Sequence, residues 1–508
     1  MNEWTDLVGQ GVSHLRGGRH LEAAIVAEQA IHCAPRDPVA SLVLGISLGR
    51  LGRLSDAIQW LQFAAGLAPQ DAQIRFNLAV CLAEAGQTEL AMVEYARCLQ
   101  IAPDYADALW NYGEMLRLRE HFRKALECFD RLERIEGKRR AKMAHRMAVC
   151  CAYLGLHERA DTLFSQQLAE DEDPVTHWEY SLYLLGCGRF DAAWPHYGKR
   201  FEAGARISLQ RAEYPFALWG GEFERDAVLL VDGEQGAGDE ILFSCFFAGL
   251  IQRAAGAGMR VVIACHPGLV RLMQASFPGA HLLAHNVARP ADVQAAVAGA
   301  RKVWRASMGD LPCWLPKPET AAYLVPDQDD VALMKSLLGS SGHVRVGLVW
   351  SANPHSQQTN RRQRNVDPVL LNAVLDDFQR TRPDVAFYSL QSAEHCASLS
   401  HLADLPVRDM SGVLTDFSRT AALMKEMDVV VSVCTSTANL AGALGCDTRV
   451  LLKTHADWRW LSDTAWYPHV RTYRQQVYSD WSAPLAGLFR EIGDSNKSRN
   501  KIEVGVAP

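Results

Sequence analysis

Apolar positions up to about residue 204 recur with the spacing of amphipathic helices, and small residues return at a longer interval of 34 residues. Prolines keep the same interval, which places one after every second helix. This pattern predicts stacked helical hairpins in which glycine and alanine let the paired helices touch. The positions that share the interval are Pro35, Pro69 and Pro103; Gly11, Gly45, Ala79 and Gly113; Gly18, Gly52 and Gly86; and Ala23, Ala57, Ala91 and Ala125.

The interval, the small residues and the prolines together resemble the tetratricopeptide repeat (TPR). Four repeats run to about residue 137, and the register then slips by one residue, because Gly155 stands where the interval predicts residue 154. Degenerate hairpins continue, so we predict a helical repeat domain over residues 1–204. Such arrays present a concave groove to a protein or peptide, and we therefore expect the chemistry to lie downstream.

Beyond YPFALWGGE (Tyr214 to Glu222), short apolar runs alternate with helical stretches. Apolar strands separated by helices predict parallel sheets covered on both faces. Prolines between residues 312 and 326 divide two such blocks, predicted as 215–330 and 343–490, and residues 494–508 are predicted to form a flexible tail. The predicted strands are Ala227 to Val231, Val261 to Ala264, Val344 to Trp350, Val385 to Leu390, Asp428 to Val433 and Thr448 to Lys453.

Charge and cysteine usage narrow the class of protein. A formal charge of -6 with 48% hydrophobic residues argues against long disorder and against nucleic acid as a partner. The 13 cysteines contain no C-x-x-C spacing, which indicates a reducing compartment and no metal site. The polar start MNEWTDLVGQ and the lack of a long uncharged apolar run predict a cytoplasmic protein without a transmembrane segment.

Ligands of open parallel sheets bind beyond the carboxyl ends of strands, and the first such loop is DGEQGAGDE, Asp232 to Glu240. Gly236 and Gly238 allow a tight turn at the start of a helix, but Ile241 stands where a dinucleotide fingerprint needs its third glycine. Asp239 places a carboxylate in the first helical turn, which keeps it ionised as a proton acceptor should be. The alternative is that Asp239 only caps the helix.

The second loop, Val433 to Gly445, carries three hydroxyl residues into a helix of small residues. Hydroxyls and free amides at a helix start can bind phosphate, and they can equally serve as ordinary helix caps. The hydroxyl residues are Thr435, Ser436 and Thr437.

The third loop, Ser351 to Val366, is polar and carries Arg361, Arg362 and Arg364. Arginines there would stabilise a diphosphate, whereas a solvated loop is the alternative. The aromatic segment Asp457 to Gln475 is predicted either to stack on a base or sugar or to belong to the core.

Taken in order, these segments resemble a TPR array fused to a bacterial heptosyltransferase-like domain (glycosyltransferase family nine). The resemblance implies the two-lobed GT-B fold, a pair of Rossmann-like α/β lobes, and so an α + α/β protein. The blocks that carry it are GRFDAAWPHYGKRFE, LWGGE, EQGAGDEILF, VRVGLVWSANP, YSLQ, TDFSRTAALMKEMDVVVSVCTSTANLAGALG and DWRWLSDTAWYPHVRTYRQ.

The family implies inverting transfer from a nucleotide sugar, without a metal or a bound cofactor. The donor is held by the C-terminal lobe, and the acceptor approaches from the N-terminal lobe. Asp239 matches the catalytic base, Thr435 and Ser436 match the turn that holds donor phosphates, and Arg361 to Arg364 lie where the family has a basic diphosphate contact. The resemblance also implies donor contacts from Thr437 and Asn439, and a cleft lined by Glu234, Gln235, Gly236, Gly238, Asn353, Cys434, Lys453, Trp458 and Arg459.

Two departures from the family pattern leave two hypotheses. Cys434 and Asn439 replace a carboxylate and an imidazole that TPR-linked relatives carry in VDT and AHLAGALG. The first hypothesis is a glycosyltransferase that modifies Ser or Thr of a protein recruited by the TPR groove, with flagellin as a candidate acceptor and a hexosyl, heptosyl or nonulosonyl donor. The second is a catalytically impaired TPR adaptor or chaperone with a transferase-like fold.

Overall fold

The computed structural model describes residues 3–204, 213–285, 287–316, 322–340, 342–352, 364–392, 407–461 and 466–503 of the 508-residue chain. These residues form two compact units, Met1–Glu172 and Asp173–Pro508. Asn353, Arg361 and Arg362, which the sequence places at the donor or in the cleft, lie outside the described residues.

The first unit consists of helical hairpins. The two helices of each hairpin contact each other, and the second helix of each of the first four hairpins contacts the first helix of the next. The turn inside each of the first four hairpins contains a residue with positive φ, three of them glycine and one glutamate. These residues are Gly18, Gly52, Gly86 and Glu120. The helices are α1 (Glu3–Arg16), α2 (His20–Cys33), α3 (Pro38–Arg50), α4 (Leu54–Leu67), α5 (Ala72–Glu84), α6 (Thr88–Ile101), α7 (Ala106–Leu118), α8 (Phe122–Glu136), α9 (Met143–Tyr153) and α10 (His157–Glu170).

Small residues at the 34-residue interval lie where the helices of a hairpin meet. A Cβ atom on Gly45 would lie 2.6 Å from Cγ of Leu61, a fully buried side chain. A Cβ atom on Gly113 would lie 2.9 Å from the ring of Phe129. Close helix contact, the physical reason for the interval, is therefore confirmed in these two hairpins.

The second unit begins with three short helices, which the sequence assigns to the repeat array. These helices are α11 (Pro174–Gly186), α12 (Phe190–Tyr197) and α13 (Arg200–Ala203). They keep the hairpin pattern but pack with the sheets, because Arg200 is buried against carboxylates from the loops of the first sheet and Phe190 stacks edge-on against Trp466. The boundary between the compact units consequently lies after Glu172 and not near residue 204.

The first sheet is five-stranded and entirely parallel. Its strands are β1 (Ala217–Leu218), β2 (Ala227–Asp232), β3 (Arg260–Cys265), β4 (His281–Ala284) and β5 (Lys302–Ser307), and its helices are α14 (Ala237–Phe243), α15 (Phe247–Ala257), α16 (Val270–Ser276) and α17 (Pro290–Ala296). The strand order is β1-β5-β2-β3-β4, so β2 is central and its carboxyl end leads directly into α14.

The second sheet is six-stranded and also parallel. Its strands are β6 (Val344–Val349), β7 (Val385–Ser389), β8 (Val407–Asp409), β9 (Val429–Val433), β10 (Thr448–Leu452) and β11 (Val470–Arg474). The helices around it are α18 (Gln328–Leu338), α19 (Pro368–Thr381), α20 (Phe417–Lys425), α21 (Ser436–Ala443) and α22 (Ser482–Glu503). In the order β11-β10-β9-β6-β7-β8, β9 is an interior strand, and it leads into α21.

All six strands expected from the sequence are present, and the prediction of parallel sheets separated by helices is confirmed. The sequence pattern missed β1, β4, β5, β8 and β11. These strands are short or carry polar and exposed residues, as in VRTYR of β11, so they do not form continuous apolar runs. The last helix continues to Glu503 and so includes most of the segment predicted as a tail.

The twelve cysteines among the described residues are free thiols. One helical stretch of that part of the chain, Ala237–Ala257, has the length and apolarity that a membrane span needs, but more than half of it is buried within the protein. Such burial is typical of a core helix, and the stretch is divided here into α14, a 3-10 turn and α15.

The contact at Gly45 leads to a prediction about the first unit. Gly45→Ala should lower the free energy of unfolding by about 1–3 kcal/mol, because the added methyl group must displace buried Leu61. Gly66→Ala, within α4 and with open space around its Cβ position, is the control and should raise stability by up to about 1 kcal/mol. Urea unfolding of the full chain measures both changes, and equal effects would contradict close packing at Gly45.

Candidate functional site

The loops that follow β2 and β9 meet at one junction. Gly238, in the first turn of α14, lies against the first turn of α21, and a Cβ atom on it would be 3.4 Å from Cα of Ser436 and 3.3 Å from Nδ2 of Asn439. A Cβ atom there would meet the Asn439 side chain tightly, so glycine suits this close approach of the two helices. Two loops that the sequence selects independently are thus brought into contact.

Asp239 lies in the first turn of α14, and its carboxylate accepts a hydrogen bond from Nη2 of Arg459. Its side chain is 18% exposed, so it is neither free in solvent nor enclosed in the apolar core. The helix starts at Gly236, whose backbone is extended and which has no side chain to act as a cap. Of the two alternatives for Asp239, helix capping is therefore not the interaction that its carboxylate makes.

Arg459 forms an ion pair with a second carboxylate. It lies in the 3-10 turn Trp458–Trp460, where its Nη1 donates to Oδ1 of Asp457 over 2.7 Å and its guanidinium lies 4.5 Å from the centre of the Trp458 ring. Burial raises the pKa of the Asp457 carboxyl, while the backbone amide of Arg459 and the charges of Arg364 and Lys453 act in the opposite direction. The junction thus contains three cationic side chains close to Asp457, two of them predicted as cleft-lining residues.

Hydroxyl and amide groups at the start of α21 bond mainly within their own loop. Thr435 Oγ1 donates to the carbonyl of Val433 over 3.2 Å and lies 3.2 Å from Oγ of Ser432. Asn439 is 5% exposed; its Nδ2 donates to the carbonyl of Thr435, and its Oδ1 accepts from the hydroxyl of Tyr467. Asn439 therefore stabilises the loop, and its role as a donor contact stays a prediction. Ser436 and Thr437 occupy the first turn and are partly exposed.

Cys434 leaves an uncharged group at the end of β9. Burial raises the pKa of its thiol to about 11, so the thiol is protonated near neutral pH. Its sulfur accepts a hydrogen bond from Nε1 of Trp460 over 3.2 Å, and its carbonyl accepts one from Arg364 over 3.4 Å. Arg364 is the described member of the three loop arginines, and it lies beside this strand end.

Glu234, predicted to line the cleft, is buried in an ion pair. Its carboxylate accepts two hydrogen bonds of 2.8 Å from Arg200, whose guanidinium also contacts Asp310 at 2.8 Å. The amide of Gly309 donates a further bond of 2.6 Å to Glu234. The prediction is corrected for this residue, because a fully paired carboxylate with a side chain only 2% exposed holds the loop and offers nothing to a ligand.

Two other residues predicted for the cleft have structural contacts. Gln235 has a left-handed backbone with φ of 62°, and its side chain donates to the hydroxyl of Tyr197 over 2.9 Å. Trp458 is 5% exposed, and its Cβ lies 3.7 Å from the Cβ position of Gly186. The left-handed backbone of Gln235 is unfavourable for a residue with a side chain, and such a conformation persists where the surrounding structure enforces it.

Sequence reasoning missed a titratable cluster at the carboxyl edge of the first sheet. Nε2 of His285, after β4, lies 3.1 Å from Glu240, and the other oxygen of Glu240 accepts from the amide of His266 over 2.7 Å. Burial raises the pKa of Asp232, at the end of β2, to about 7, and the hydroxyl of Tyr214 lies 3.4 Å from its carboxylate. Asp232 ends β2, His266 follows β3 and His285 follows β4, so these members lie at the carboxyl ends of three strands, where ligands of parallel sheets bind.

A tetratricopeptide repeat profile matches residues 42–106. The first unit contains tetratricopeptide repeats. The chain is 27% identical over 480 residues to Protein FlbA of Caulobacter vibrioides. The alignment covers 91% of this chain and 73% of FlbA.

Solved repeat proteins match the first third of the chain. MamA of AMB-1 is 21% identical, with 33% of this chain and 92% of its own covered and a TM-score of 0.31. YrrB, described as a TPR protein with an unusual peptide-binding site, is 15% identical, with 34% of this chain and 87% of its own covered and a TM-score of 0.30. Tetratricopeptide repeats in general bind protein partners, and the groove expected in this chain stays a prediction.

The raised pKa of Asp232 makes stability depend on pH. Because the folded-state pKa of about 7 exceeds the ordinary value of 3.8, the folded chain holds a proton that the unfolded chain releases between these values, and the free energy of unfolding falls as the pH rises through that range. Asp232→Asn cannot ionise and should therefore be more stabilising at pH 8 than at pH 5, by about 1–3 kcal/mol.

Thermal unfolding of both proteins at the two pH values measures this difference. Asp329→Asn, which changes an exposed aspartate in the first turn of α18, is the matched control. An identical effect of Asp232→Asn at pH 5 and pH 8 would refute the assignment.

Proposed function

We propose that this chain is a glycosyltransferase that moves a sugar from a nucleotide-activated donor to a hydroxyl of a protein acceptor. Asp239 acts as the base, the strand ends of the second sheet hold the donor, and the TPR unit recruits the acceptor. The two parallel sheets correspond in this proposal to the two lobes of a GT-B enzyme. The reaction inverts the sugar and uses neither a metal nor a bound cofactor.

The contact between α14 and α21 supports this proposal most directly. At this contact, the carboxylate of Asp239, from the first sheet, lies beside cationic side chains of the second sheet. These are Arg459 and Lys453, which follow β10, and Arg364, which precedes α19. Sugar transfer needs these two functions side by side: a proton acceptor for the attacking hydroxyl, and positive charge for the departing diphosphate. Asp239 supplies the first, and Arg459, Arg364 and Lys453 supply the second.

Transfer to a protein follows from the repeat unit. A repeat array that binds proteins is of use to an enzyme whose acceptor is a protein chain, and Ser and Thr present the hydroxyl. As Asp239 takes the hydroxyl proton, the oxygen bonds to the anomeric carbon, and the bond from that carbon to the diphosphate breaks with its electron pair leaving on the diphosphate. Flagellin is the candidate acceptor that the family resemblance suggests.

An adaptor without activity is the second candidate, and two observations favour it. Arg459 is hydrogen-bonded to the carboxylate of Asp239. The neutral thiol of Cys434 stands where the family resemblance implies a carboxylate that contacts the donor. In this alternative, the TPR unit binds its partner and the sheets serve as a scaffold. Calorimetric titration with nucleoside diphosphates separates the candidates, because a cleft that no longer serves a donor should show no saturable binding.

The base assignment predicts a loss of transfer on substitution. Asp239→Ala should slow glycan transfer to candidate acceptors by about 100-fold or more, because the attacking hydroxyl loses its proton acceptor. Transfer is followed by mass spectrometry of flagellar and surface proteins incubated with a panel of nucleotide sugars.

Asp292→Ala is the matched control for that assay. It also removes an aspartate from the first turn of a helix beside the first sheet, here the half-buried Asp292 of α17, which is paired with Arg289. Equal rates for wild type and Asp239→Ala would remove Asp239 from the mechanism, and absence of transfer by the wild type with every donor would favour the adaptor.

A further inference from the structure

Arg459 holds two carboxylates that differ in origin. Asp457 lies two residues earlier, accepts from the backbone amide of Arg459 over 3.1 Å and belongs to the same turn. Asp239 comes from α14, on the first sheet, 220 residues away in sequence. The pairing with Asp457 is built into the turn, whereas the pairing with Asp239 depends only on how the two sheets meet.

The cationic side chains at Arg459 are suited to bind an anion with more negative charge than the single carboxylate of Asp239. Arg364 and Lys453 both lie near enough to Asp457 to affect its titration, and Arg364 also contacts the carbonyl of Cys434. With Asp239 displaced, Arg459 stays paired with Asp457, and Arg364 and Lys453 are further cationic side chains near that carboxylate. A diphosphate brings more negative charge and more acceptor oxygens than one carboxylate does, so it competes well for these cations.

We propose that Arg459 anchors a diphosphate group, and that the diphosphate displaces Asp239 from Arg459 when it binds. The inference rests on the proposed function for its catalytic meaning, because the displaced carboxylate becomes the base. While Asp239 accepts from Arg459, its Oδ1 is engaged with the guanidinium. Displacement by the diphosphate of the donor makes that oxygen available to the acceptor hydroxyl.

Competition between Asp239 and diphosphate can be measured directly by isothermal titration of the full chain with inorganic diphosphate. Asp239→Asn removes the competing charge and should tighten diphosphate binding by about fivefold or more, the equivalent of roughly 1 kcal/mol for a partly buried ion pair. Arg459→Gln, which can still donate to Asp457, should weaken binding by about tenfold or more.

The double variant decides between displacement and simple repulsion. If Asp239 acts by occupying Arg459, then Asp239→Asn has little effect in the Arg459→Gln background. If the two effects add, Asp239 only repels the anion through space, and the proposal is overturned. Circular dichroism and thermal unfolding establish that each variant is folded.

Asp384→Asn is the matched control for the change in net charge. It removes an aspartate that is paired with Arg382 and lies just before β7, at the amino ends of the strands of the second sheet. Arg459 lies at the carboxyl ends, so this variant should leave diphosphate binding unchanged. An equal gain in affinity in this variant, or no gain in Asp239→Asn, would also overturn the proposal, as would absence of binding in both wild type and Asp239→Asn.

The same proteins separate this inference from the proposed function. If the binding pattern holds but the wild type transfers no sugar, the displacement inference stands and the glycosyltransferase proposal fails. If transfer depends on Asp239 but diphosphate binding does not respond to Asp239→Asn, the glycosyltransferase proposal stands and the displacement inference fails.

Discussion

The guanidinium of Arg200 is fully buried, and carboxylates of the second unit neutralise its charge. An uncompensated charge in that position would cost several kcal/mol, so the loops around it must supply partners. Glu234 comes from the loop after β2, and Asp310 comes from the turn after β5. The loop that leads into α14 is therefore fixed at its start, and with it the position of Asp239.

The helices from Pro174 to Ala203 connect parts of the unit that neither sheet connects alone. Arg200 attaches them to the loops of the first sheet, while Gly186 lies 3.0 Å, measured from its Cβ position, from Leu461 beyond the second sheet. On another side, Arg271 of α16 bridges Asp330 of α18 and Asp416, the cap of α20. These contacts hold the strand ends of the two sheets close together.

Much of the fold could be predicted because it depends on repeated local rules. The 34-residue interval follows from close contact at Gly45 and its equivalents, and the six apolar runs follow from strands buried on both faces. The rule that parallel sheets bind ligands at strand ends also selected the two loops that meet. The same rule selected the loop that holds Asp232 and Glu240, but it could not find His285, because β4 does not form a continuous apolar run.

Spacing along the chain determined the elements and named candidate residues, because helix and strand periods relate positions only within one element. Tertiary structure alone decided what those residues touch. Asn439 and Glu234 became internal supports, because partners from distant segments, Tyr467 and Arg200, satisfy their polar groups. Asp239 acquired Arg459 across 220 residues, since only the packing of two sheets sets the distance between groups that no local period links.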